Sequence, residues 1–478
     1  MATPIPENRC GFSLGGVVQA TSGTLHGNAR ITASSVSIDT RTLKPGSLFV
    51  ALHGAGRDGH DFVPAAVKAG AVAAVLERGR GQSPLASVEV PDTLAALGML
   101  ARFHLERMRA AGSLISIGIT GSAGKTTTKE LTAAAAHALF GETLATPGNL
   151  NNRIGVPMTL FTLGPQHRAA VIECGTNLPG EVDSLGTILA PDAALVVNVD
   201  IEHSEGLGSL EQIAAEETAI LRHAKVAVVP AGDALIARFV PSRIAKLTFG
   251  TAAEADVRLT RRIVVGQGRQ RVTYRFGTGL VEPGVEPVLE TELAVVGPGS
   301  AINAAAALAA VAACAHPLSR ERLAALARAV AEVNPIPGRL APLEVAGALV
   351  IDDTYNANPR SVQTAFEAAR EIADGLHARL VVALGDMLEL GSLAIESHRA
   401  ALRALWELRP DAVILVGSQM GDAFDASPSP ASVTVVRAPD SDAASRLATS
   451  LINGGDVVLV KGSRGMRMER LIEALAQR

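Results

Sequence analysis

Short apolar runs recur along the chain, and stretches with helical spacing separate many of them. The first series is LISIGI, AAVIEC, AALVVNV and VAVVP, and a second series nearer the C-terminus is ALVIDD, RLVVALGD, DAVILVG, SVTVVR and DVVLVKG. Short runs rich in Val and Ile are typical of buried strands, and their alternation with helices favours a mainly parallel sheet covered by helices. The pattern therefore predicts an α/β fold.

The length of the chain and the changes in this rhythm predict two or three domains. Residues 1–112 carry strand-like runs such as SLFVAL and AVAAVL and end in the helical pattern TLAALGMLARFHLERMRAAG. Residues 113–333 hold the first alternating series, the strand-prone segment RQRVTYRFG and the alanine-rich helix AINAAAALAAVAACA. The segment VNPIPGR then suits a stiff linker, because it contains two prolines and a glycine. We predict a small N-terminal α/β domain, a central domain with a mainly parallel sheet, and a Rossmann-like α/β domain over residues 334–478.

Composition excludes several classes of protein. The formal net charge of -4 and the aromatic content of 3% provide neither the basic face nor the stacking rings of nucleic-acid binders. The cysteines, Cys10, Cys174 and Cys314, lack the spacing of a zinc site or a disulfide scaffold. The N-terminus has early prolines and no long apolar run, and the alanine-rich helix is too short to span a bilayer. We expect a cytoplasmic protein without nucleic-acid partners or membrane insertion.

A glycine-rich turn at a predicted strand-to-helix junction points to nucleotide binding. The sequence GSAGKT supplies Gly121, Gly124, Lys125 and Thr126, although a strict Walker A pattern would need another glycine in place of Ile119. The glycines still let backbone N–H groups surround an anion, and the helix N-terminus adds partial positive charge. Lys125 could reach the terminal phosphates, and Thr126 could offer its hydroxyl to Mg²⁺. The alternative is a plain glycine turn with a solvated lysine, which the junction disfavours.

Polar residues also follow two predicted strands of the same sheet. Glu173 ends AAVIE, and His203 follows ALVVNVDIEH. Ligands of such sheets lie beyond the carboxyl ends of the strands, and Mg²⁺ prefers oxygen ligands. Each residue alone could equally be structural, but together they indicate a metal site.

Motifs along nearly the whole chain carry a family resemblance. They are GITGSAGKTTTKE, TPGNLNNRIGVP, VIECGTNLPGE, EHSEGLGSLEQIA, PGR and DDTYNANPRS. The chain thereby resembles the Mur ligases, the ATP-dependent amide ligases of peptidoglycan synthesis. Four further stretches are similar to the family members that add a dipeptide: DTRTLKPGSLFVAL, DGHDF, ALGDMLELG and VKGSRGMRMERL. The resemblance implies a domain that binds a UDP precursor, a central P-loop ATPase domain, and a C-terminal domain that completes the site on closing.

The resemblance also implies the reaction and its partners. ATP converts the terminal carboxylate of UDP-N-acetylmuramoyl-tripeptide to an acyl phosphate, and the amine of D-alanyl-D-alanine attacks it. ATP, two Mg²⁺ ions, a monomeric state and a cytoplasmic location are implied as well.

Individual residues match the functional positions of the family. The implied catalytic residues are Lys125, Glu173, His203 and Arg339, of which the last reaches back from the linker to the γ-phosphate. The implied ATP-binding residues are Gly121, Ser122, Ala123, Gly124, Lys125, Thr126, Thr127 and Arg339, with Asn303 at the adenine and Asp353 at the ribose. Thr126, Glu173 and His203 match metal ligands. The segments that hold the UDP substrate contain Asp39, Thr40, Arg41, His60, Asn149, Asn151 and Asn152. Asn356, Asn358 and Lys461 lie in segments suited to the dipeptide, although each could equally cap a helix or face water.

The chain departs from the family pattern at two places. In most Mur ligases a lysine that CO₂ carbamylates occupies the position of Glu217 and helps to hold the second magnesium. We hypothesise that Glu217 supplies this negative oxygen directly, which would make the enzyme independent of bicarbonate; a solvated glutamate on a helix surface is the alternative. At the adenine site, Gly299 and Ser300 stand where the family often has His-Asn.

Other interpretations stay open at this point. One is another Mur ligase or a folylpolyglutamate-type ligase, although folate ligases lack the N-terminal stretches and DDTYNANP differs from the Asp-Asn-Pro-Arg signature of the diaminopimelate-adding relatives. Another is a nucleotide-binding relative that has lost catalysis, which the missing lysine would favour. The sequence also leaves open whether the third residue of the tripeptide is lysine or diaminopimelate.

Overall fold

Each apolar run singled out above forms a strand in the computed structural model, which describes residues 3–54, 56–80, 83–201, 204–266, 269–427 and 430–477. The strands are β1 (Phe12–Ser13), β2 (Thr24–His26), β3 (Thr32–Ala33), β4 (Ser35–Ser37), β5 (Ser47–Val50), β6 (Ala73–Glu77), β7 (Ala86–Val90), β8 (Ile115–Thr120), β9 (Thr143–Ala145), β10 (Ala169–Glu173), β11 (Ala193–Val196), β12 (Val226–Pro230), β13 (Ala245–Gly250), β14 (Val257–Val265), β15 (Arg269–Phe276), β16 (Val288–Leu293), β17 (Ala341–Val345), β18 (Ala348–Asp353), β19 (Leu380–Gly385), β20 (Ala412–Val416), β21 (Thr434–Ala438) and β22 (Val457–Lys461).

Helices fill most of the intervals between these strands. The α-helices are α1 (Leu14–Thr21), α2 (Val63–Lys68), α3 (Thr93–Ala111), α4 (Lys125–Phe140), α5 (Gly155–Leu160), α6 (Glu181–Leu189), α7 (Ser204–Leu207), α8 (Leu210–Glu217), α9 (Ala234–Ala237), α10 (Gly297–Ala315), α11 (Arg320–Ala331), α12 (Pro359–Leu376), α13 (Ala394–Glu407), α14 (Ser418–Ala426), α15 (Ser441–Leu451) and α16 (Glu469–Ala476). Short 3₁₀ helices cover Gly59–Phe62, Ala219–His223, Thr278–Leu280, Gly391–Leu393 and Arg464–Met466.

The chain divides into two units. The first comprises Met1–Gly118, Phe140–Thr176 and Gly180–Asp192, and the second comprises Ile119–Leu139, Asn177–Pro179 and Ala193–Arg478. Because β8 contains residues of both units, it belongs to the strand order of each. The domain boundaries given above stay a prediction.

In the first unit, a five-stranded sheet has the order β2-β7-β6-β5-β4. The pairs from β4 to β7 are parallel, and β2 joins antiparallel to β7. Phe49, Ala74 and Leu76 from this sheet pack with Val63 and Ala66 of α2 in a buried apolar cluster. Separately, β1 pairs with β3, and β9 pairs in parallel with β10, in the order β8-β10-β9.

In the second unit, one sheet has the order β16-β15-β14-β13-β12-β11-β8. Its strands β11 to β14 are parallel, and β14 to β16 form antiparallel pairs. Among the described residues, α10 is the one helix long and apolar enough to cross a bilayer by length and composition, and 72% of its most apolar window is buried inside the protein. The expectation from the sequence that this helix is too short to span a bilayer is wrong, and its burial identifies it as a core helix.

A second sheet of this unit has the order β17-β18-β22-β19-β20-β21 and is parallel except at β17. Neighbouring residues of one strand face different clusters: Val382 packs in the cluster that includes α12 and α13, and Val381 in the cluster that includes α15 and α16. Both faces are thus covered, which explains the continuous apolar runs. The α/β fold with mainly parallel sheets is confirmed.

Candidate functional site

The glycine-rich turn forms a tight loop between β8 and α4. Gly121 and Gly124 have positive φ angles of 132° and 80°, a region that favours glycine. A Cβ on Gly121 would lie 2.9 Å from the carbonyl oxygen of Asn198, and one on Gly124 would lie 2.8 Å from Nδ2 of Asn303. Ile119 is a buried residue within β8, so the loop begins after it and needs no glycine there. Lys125 is the first residue of α4, where an anion meets backbone N–H groups and the positive end of the helix.

Side chains after β11 hold this loop in place. The N–H of Ala123 donates to Oδ1 of Asn198 (2.9 Å), and Nδ2 of Asn198 donates to the carbonyl of Ala123 (2.8 Å). The hydroxyl of Ser122 donates to the carbonyl of Asp200 (3.0 Å). Nζ of Lys125 donates to the carbonyl of Gly121. Asn198 was not among the residues predicted from the sequence, although it lies just after the carboxyl end of β11.

Glu217 lies directly against the loop. It is the last residue of α8, is 1% exposed, and accepts a hydrogen bond on Oε2 from the N–H of Gly121 (2.8 Å). Its carbonyl accepts from the hydroxyl of Thr120 (2.7 Å). The alternative of a solvated glutamate on a helix surface is therefore wrong. The Glu217 carboxylate therefore lies buried beside the phosphate loop. A negative charge at this place would balance the charge of a cation bound there.

Glu173 presents a carboxylate at the end of β10 in the first unit and is 2% exposed. Oε1 accepts from Nδ2 of Asn151 (2.8 Å), whereas Oε2 is buried with no hydrogen-bond partner among the described residues. Buried polar atoms are normally paired, so an unpaired carboxylate oxygen fits a ligand position for a hard cation such as Mg²⁺. His203 lies outside the described residues. In the part of the chain that the structure describes, no group of three or more His, Cys, Asp or Glu could hold a metal ion.

The three asparagines of the loop after β9 make different contacts. Asn151 binds Glu173, as described above. Asn152 accepts on Oδ1 from the N–H groups of Ile154 (3.1 Å) and Gly155 (2.8 Å) and so holds the start of α5. Asn149 is exposed, and its N–H donates to the hydroxyl of Thr3 (3.2 Å). Their predicted contacts with the UDP substrate stay predictions.

The linker arginine is fixed from both sides. The guanidinium of Arg339 lies over the ring of Tyr355, with Cζ 4.1 Å from the ring centroid. Oδ2 of Asp352 accepts from the N–H of Gly338 (2.8 Å), and Oδ1 of Asp353 accepts from the N–H of Leu340 (3.1 Å). The two carboxylates at the end of β18 thus hold the backbone around Arg339.

A buried ion pair joins β18 to β22. Nζ of Lys461 lies 2.5 Å from Oδ2 of Asp353 and also donates to the carbonyl of Asn356 (2.9 Å), and the Lys461 side chain is 1% exposed. Burial raises the pKa of Asp353, while Lys461 opposes that change. A contact with a dipeptide carboxylate would require Lys461 to leave this pair, and a ribose contact would have to share Asp353 with it.

Two further candidates for dipeptide binding lie near the start of α12. Asn358 is the N-cap of this helix, and its Oδ1 accepts from the N–H of Ser361 (2.8 Å). Asn356 is exposed. The helix-cap alternative thus describes Asn358 in this structure, and the dipeptide contacts stay predictions.

The adenine candidates lie on α10. The amide of Asn303 is next to Gly124 of the phosphate loop, and its contact with adenine stays a prediction. A Cβ on Gly299 would lie 2.8 Å from Cγ2 of Thr364 on α12. A histidine at position 299 would therefore collide with α12 in this conformation, which gives a physical reason for the second departure from the family pattern.

The candidates for UDP binding near the N-terminus lie in the first unit. Asp39 and Arg41 form a close ion pair (2.5 Å), and its hydrogen bonds from Arg41 lower the pKa of Asp39. Thr40 is half-buried between them. Asp39 lines a pocket with Ser37, Thr42, Lys44 and Met158, whose other wall is formed by Ile5–Asn8. Sequence analysis did not assign any role to this N-terminal segment.

His60 has an internal role in the structure. Its Nδ1 lies 2.6 Å from Oδ1 of Asp58, and its Nε2 accepts from the N–H of Glu77 (2.9 Å). The bond to Glu77 joins the 3₁₀ turn to β6. The hydrogen bond from the N–H of His60, followed by that from its ring, lowers the pKa of Asp58 to about 2. A contact from the ring nitrogens of His60 to UDP would require one of these bonds to break.

Comparison with protein-family profiles matches most of the chain. The profile for the Mur ligase family, catalytic domain, matches residues 32–104; that for the Mur ligase middle domain matches residues 119–311; and that for the Mur ligase, glutamate ligase domain, matches residues 338–464.

Characterised relatives and solved structures agree with these profiles over the full length. The UDP-N-acetylmuramoyl-tripeptide--D-alanyl-D-alanine ligase of Escherichia coli (strain K12) is 35% identical, covering 95% of this chain and 96% of the relative, and that of Bacillus subtilis (strain 168) is 32% identical, covering 92% and 93%. A crystal structure of MurF from Acinetobacter baumannii has a TM-score of 0.85 at 29% identity, covering 99% of this chain and 100% of that one. MurF ligase from Thermotoga maritima in complex with ADP has a TM-score of 0.79 at 27% identity, covering 92% and 97%.

Proposed function

The chain belongs to the Mur ligase family, and from this membership we propose that it joins D-alanyl-D-alanine to UDP-N-acetylmuramoyl-tripeptide at the expense of ATP. The observation that carries the proposal is the full-length similarity to ligases named for this activity, including the 35% identity over 473 residues with the relative from Escherichia coli. The reaction belongs to peptidoglycan precursor synthesis, for which we propose a cytoplasmic monomer.

A carboxylate is a poor acyl donor at neutral pH, so it must first be activated. An oxygen of the tripeptide carboxylate attacks the γ-phosphorus of ATP, the bond to ADP breaks, and an acyl phosphate forms. The amine of D-alanyl-D-alanine then attacks the acyl carbon and loses a proton, and phosphate leaves. The loop from Gly121 to Gly124 binds phosphate through its N–H groups, and Lys125 stabilises the negative charge that develops during transfer.

We propose Mg²⁺ as the metal and assign ligands to it by residue. Glu173 fits because Oε2 is buried and without a hydrogen-bond partner in the described part of the chain. Thr126 offers a hydroxyl in the first turn of α4, and His203 and Glu217 are assigned to a second ion. Magnesium would neutralise phosphate charge at this site. Arg339 is proposed to reach the γ-phosphate, Asn303 the adenine and Asp353 the ribose.

Product mass analysis tests this proposal. The protein is incubated with ATP, Mg²⁺ and UDP-N-acetylmuramoyl-tripeptide, carrying either lysine or diaminopimelate as its third residue, and with a panel of amino acids and dipeptides. We expect one D-alanyl-D-alanine to be added with loss of water, together with release of phosphate that depends on the dipeptide. Addition of a single amino acid, or no dipeptide-dependent phosphate release, would overturn the proposal. A Lys125→Met variant is the control for loss of ATP-dependent turnover.

A further inference from the structure

The N-terminal strap, which we define as Thr3–Asn8, is attached to the first unit at both of its ends. At one end, Nδ2 of Asn8 donates to the carbonyl of Val36 (2.8 Å), and its Oδ1 accepts from the N–H of Val36 (3.0 Å). At the other end, the hydroxyl of Thr3 accepts from the N–H of Asn149 (3.2 Å) and packs against Gly148. The strap therefore connects β4 to the loop that contains Asn149, Asn151 and Asn152.

The composition of the strap makes it stiff. Pro4 and Pro6 fix their φ angles and reduce the number of conformations open to the segment. A segment held at both ends and restricted between them loses little further entropy when a ligand packs against it. The strap is thus suited to form a preformed wall.

The strap forms one side of the pocket described above. Ile5, Pro6 and Glu7 face this pocket, and Asp39 and Thr42 line it too. Apolar surface from Ile5, Pro6 and Met158 suits a flat base, while the hydroxyls and carboxylate of Ser37, Thr42 and Asp39 suit sugar hydroxyls and the polar edge of a pyrimidine. The pocket has a volume of about 70 Å³, so it has room for one edge of a base or a sugar rather than for a whole nucleotide.

We propose that the strap is a positioning element for the nucleotide end of the substrate. It completes the pocket at Asp39 and fixes the spacing between that pocket and the asparagine loop at Asn149. The inference rests on the proposed function, because the ligand is the UDP moiety of the muramoyl precursor. The inference adds a role for residues 3–8, which would control the affinity for the muramoyl precursor and not for the other two substrates.

Steady-state kinetics of two variants test the strap. One variant lacks residues 2–8, and the other, Asn8→Ala, removes both hydrogen bonds to Val36 while leaving the chain intact. We expect each to raise the KM for UDP-N-acetylmuramoyl-tripeptide about tenfold, as the loss of two hydrogen bonds that hold a binding wall would do. The kcat and the KM values for ATP and D-alanyl-D-alanine should stay within about twofold of wild type, because the phosphate loop is untouched.

Two further variants serve as matched comparisons. Asn8→Asp keeps an oxygen that accepts from Val36 but places a carboxylate oxygen against the carbonyl of Val36 in place of the donor, so its KM should rise at least as much as that of Asn8→Ala. Glu106→Gln removes an ion pair with Arg102 on α3, whose side chains are 52% and 44% exposed for Glu106 and Arg102, and such a pair contributes little. Neither residue lines the pocket, so we expect Glu106→Gln to behave as wild type.

Three results would overturn the inference. The first is an unchanged KM in both strap variants. The second is a lower KM, which would mean that the strap obstructs the pocket. The third is a parallel loss of kcat and thermal stability, which would mean that the strap has a purely structural role. Ligation by the wild-type protein in the same assay establishes the proposed function separately. Failure of the strap and failure of the function are therefore distinguishable.

Discussion

We propose two tasks for Glu217, a hydrogen bond to the phosphate loop and a contribution to metal binding. Its carboxylate is one hydrogen bond from the N–H of Gly121, so it fixes the phosphate loop as well as bringing negative charge to it. Hydrogen bonds to an ionised acceptor are stronger than those between neutral groups. The glutamate side chain reaches the loop because α8 ends directly beside it.

A Glu217→Gln substitution separates the two tasks. The amide oxygen can still accept from Gly121, so the thermal stability should change little, but the negative charge is lost. We expect kcat at limiting Mg²⁺ to fall about tenfold or more and to recover partly at high Mg²⁺. This is the effect expected when a metal ion loses one charged ligand. The measurement is kcat as a function of Mg²⁺ concentration in bicarbonate-free buffer, where the wild type should remain fully active.

Glu211→Gln is the matched control for this prediction. Glu211 lies on the same helix, is exposed, and pairs with Arg238 at the surface. Near-full ligation by Glu217→Gln at limiting Mg²⁺ would remove the metal role, and a wild-type requirement for bicarbonate would contradict the replacement of the carbamate.

At the scale of elements, the pair of Lys461 and Asp353 connects two central strands of the C-terminal sheet to the linker. Lys461→Met keeps the length of the side chain but leaves the Asp353 carboxylate buried without its cation. We expect the free energy of unfolding near neutral pH to fall by about 3 kcal/mol, as for breaking one side of a buried ion pair. The double variant Lys461→Met/Asp353→Asn should recover much of this loss.

The destabilisation by Lys461→Met should also depend on pH. Burial already raises the pKa of Asp353, and loss of Lys461 raises that pKa further. A carboxyl with a higher pKa in the folded state stabilises the fold below the pKa of the unfolded chain, and this stability is lost as pH rises through the folded pKa. The deficit of the variant should therefore shrink as the pH is lowered from about 8 to about 5. Denaturant unfolding at several pH values measures it, and a deficit that is the same at every pH would contradict the account.

The elements themselves were largely predictable, because their signals are local. The strand runs of the C-terminal sheet are continuous because both faces are covered, as Val381 and Val382 show. Glu173 and the phosphate loop could be assigned from their places at strand ends. The contact between Glu217 and Gly121 could not, because the two residues are 96 positions apart and meet only through tertiary packing. The same holds for the ion pair of Lys461 and Asp353, which are 108 positions apart, so the sequence could assign Lys461 only to a segment suited to the dipeptide.

At the scale of the whole molecule, the second unit contains the two sheets described for it. Within this unit, helix α10 contacts helix α12. Gly297 and Gly299, at the start of α10, lie against Ala368 and Thr364 of α12. Nearby, the guanidinium of Arg262 on β14 binds Oε1 of Glu371 on α12. Because the Arg262 side chain is only 17% exposed, this pair is less screened than the surface pairs.

A double-mutant cycle on Arg262→Gln and Glu371→Gln measures this connection. We expect a coupling energy of about 1 kcal/mol in the free energy of unfolding of the second unit. This value lies at the upper end of the coupling energies of partly exposed ion pairs. The control cycle uses Arg403 and Glu396, whose side chains are 55% and 67% exposed, and its coupling should be smaller. Equal couplings in the two cycles would contradict a specific connection between β14 and α12.

Asn8 has a consequence for solubility as well as for substrate binding. β4 is the last strand of its sheet in the described structure, and an open strand edge offers its N–H and C=O groups to strands of other molecules. Asn8 uses the N–H and the C=O of Val36 with a single side-chain amide. A side chain that cannot propagate a ladder thus occupies the edge at Val36, and we expect it to disfavour edge-to-edge aggregation.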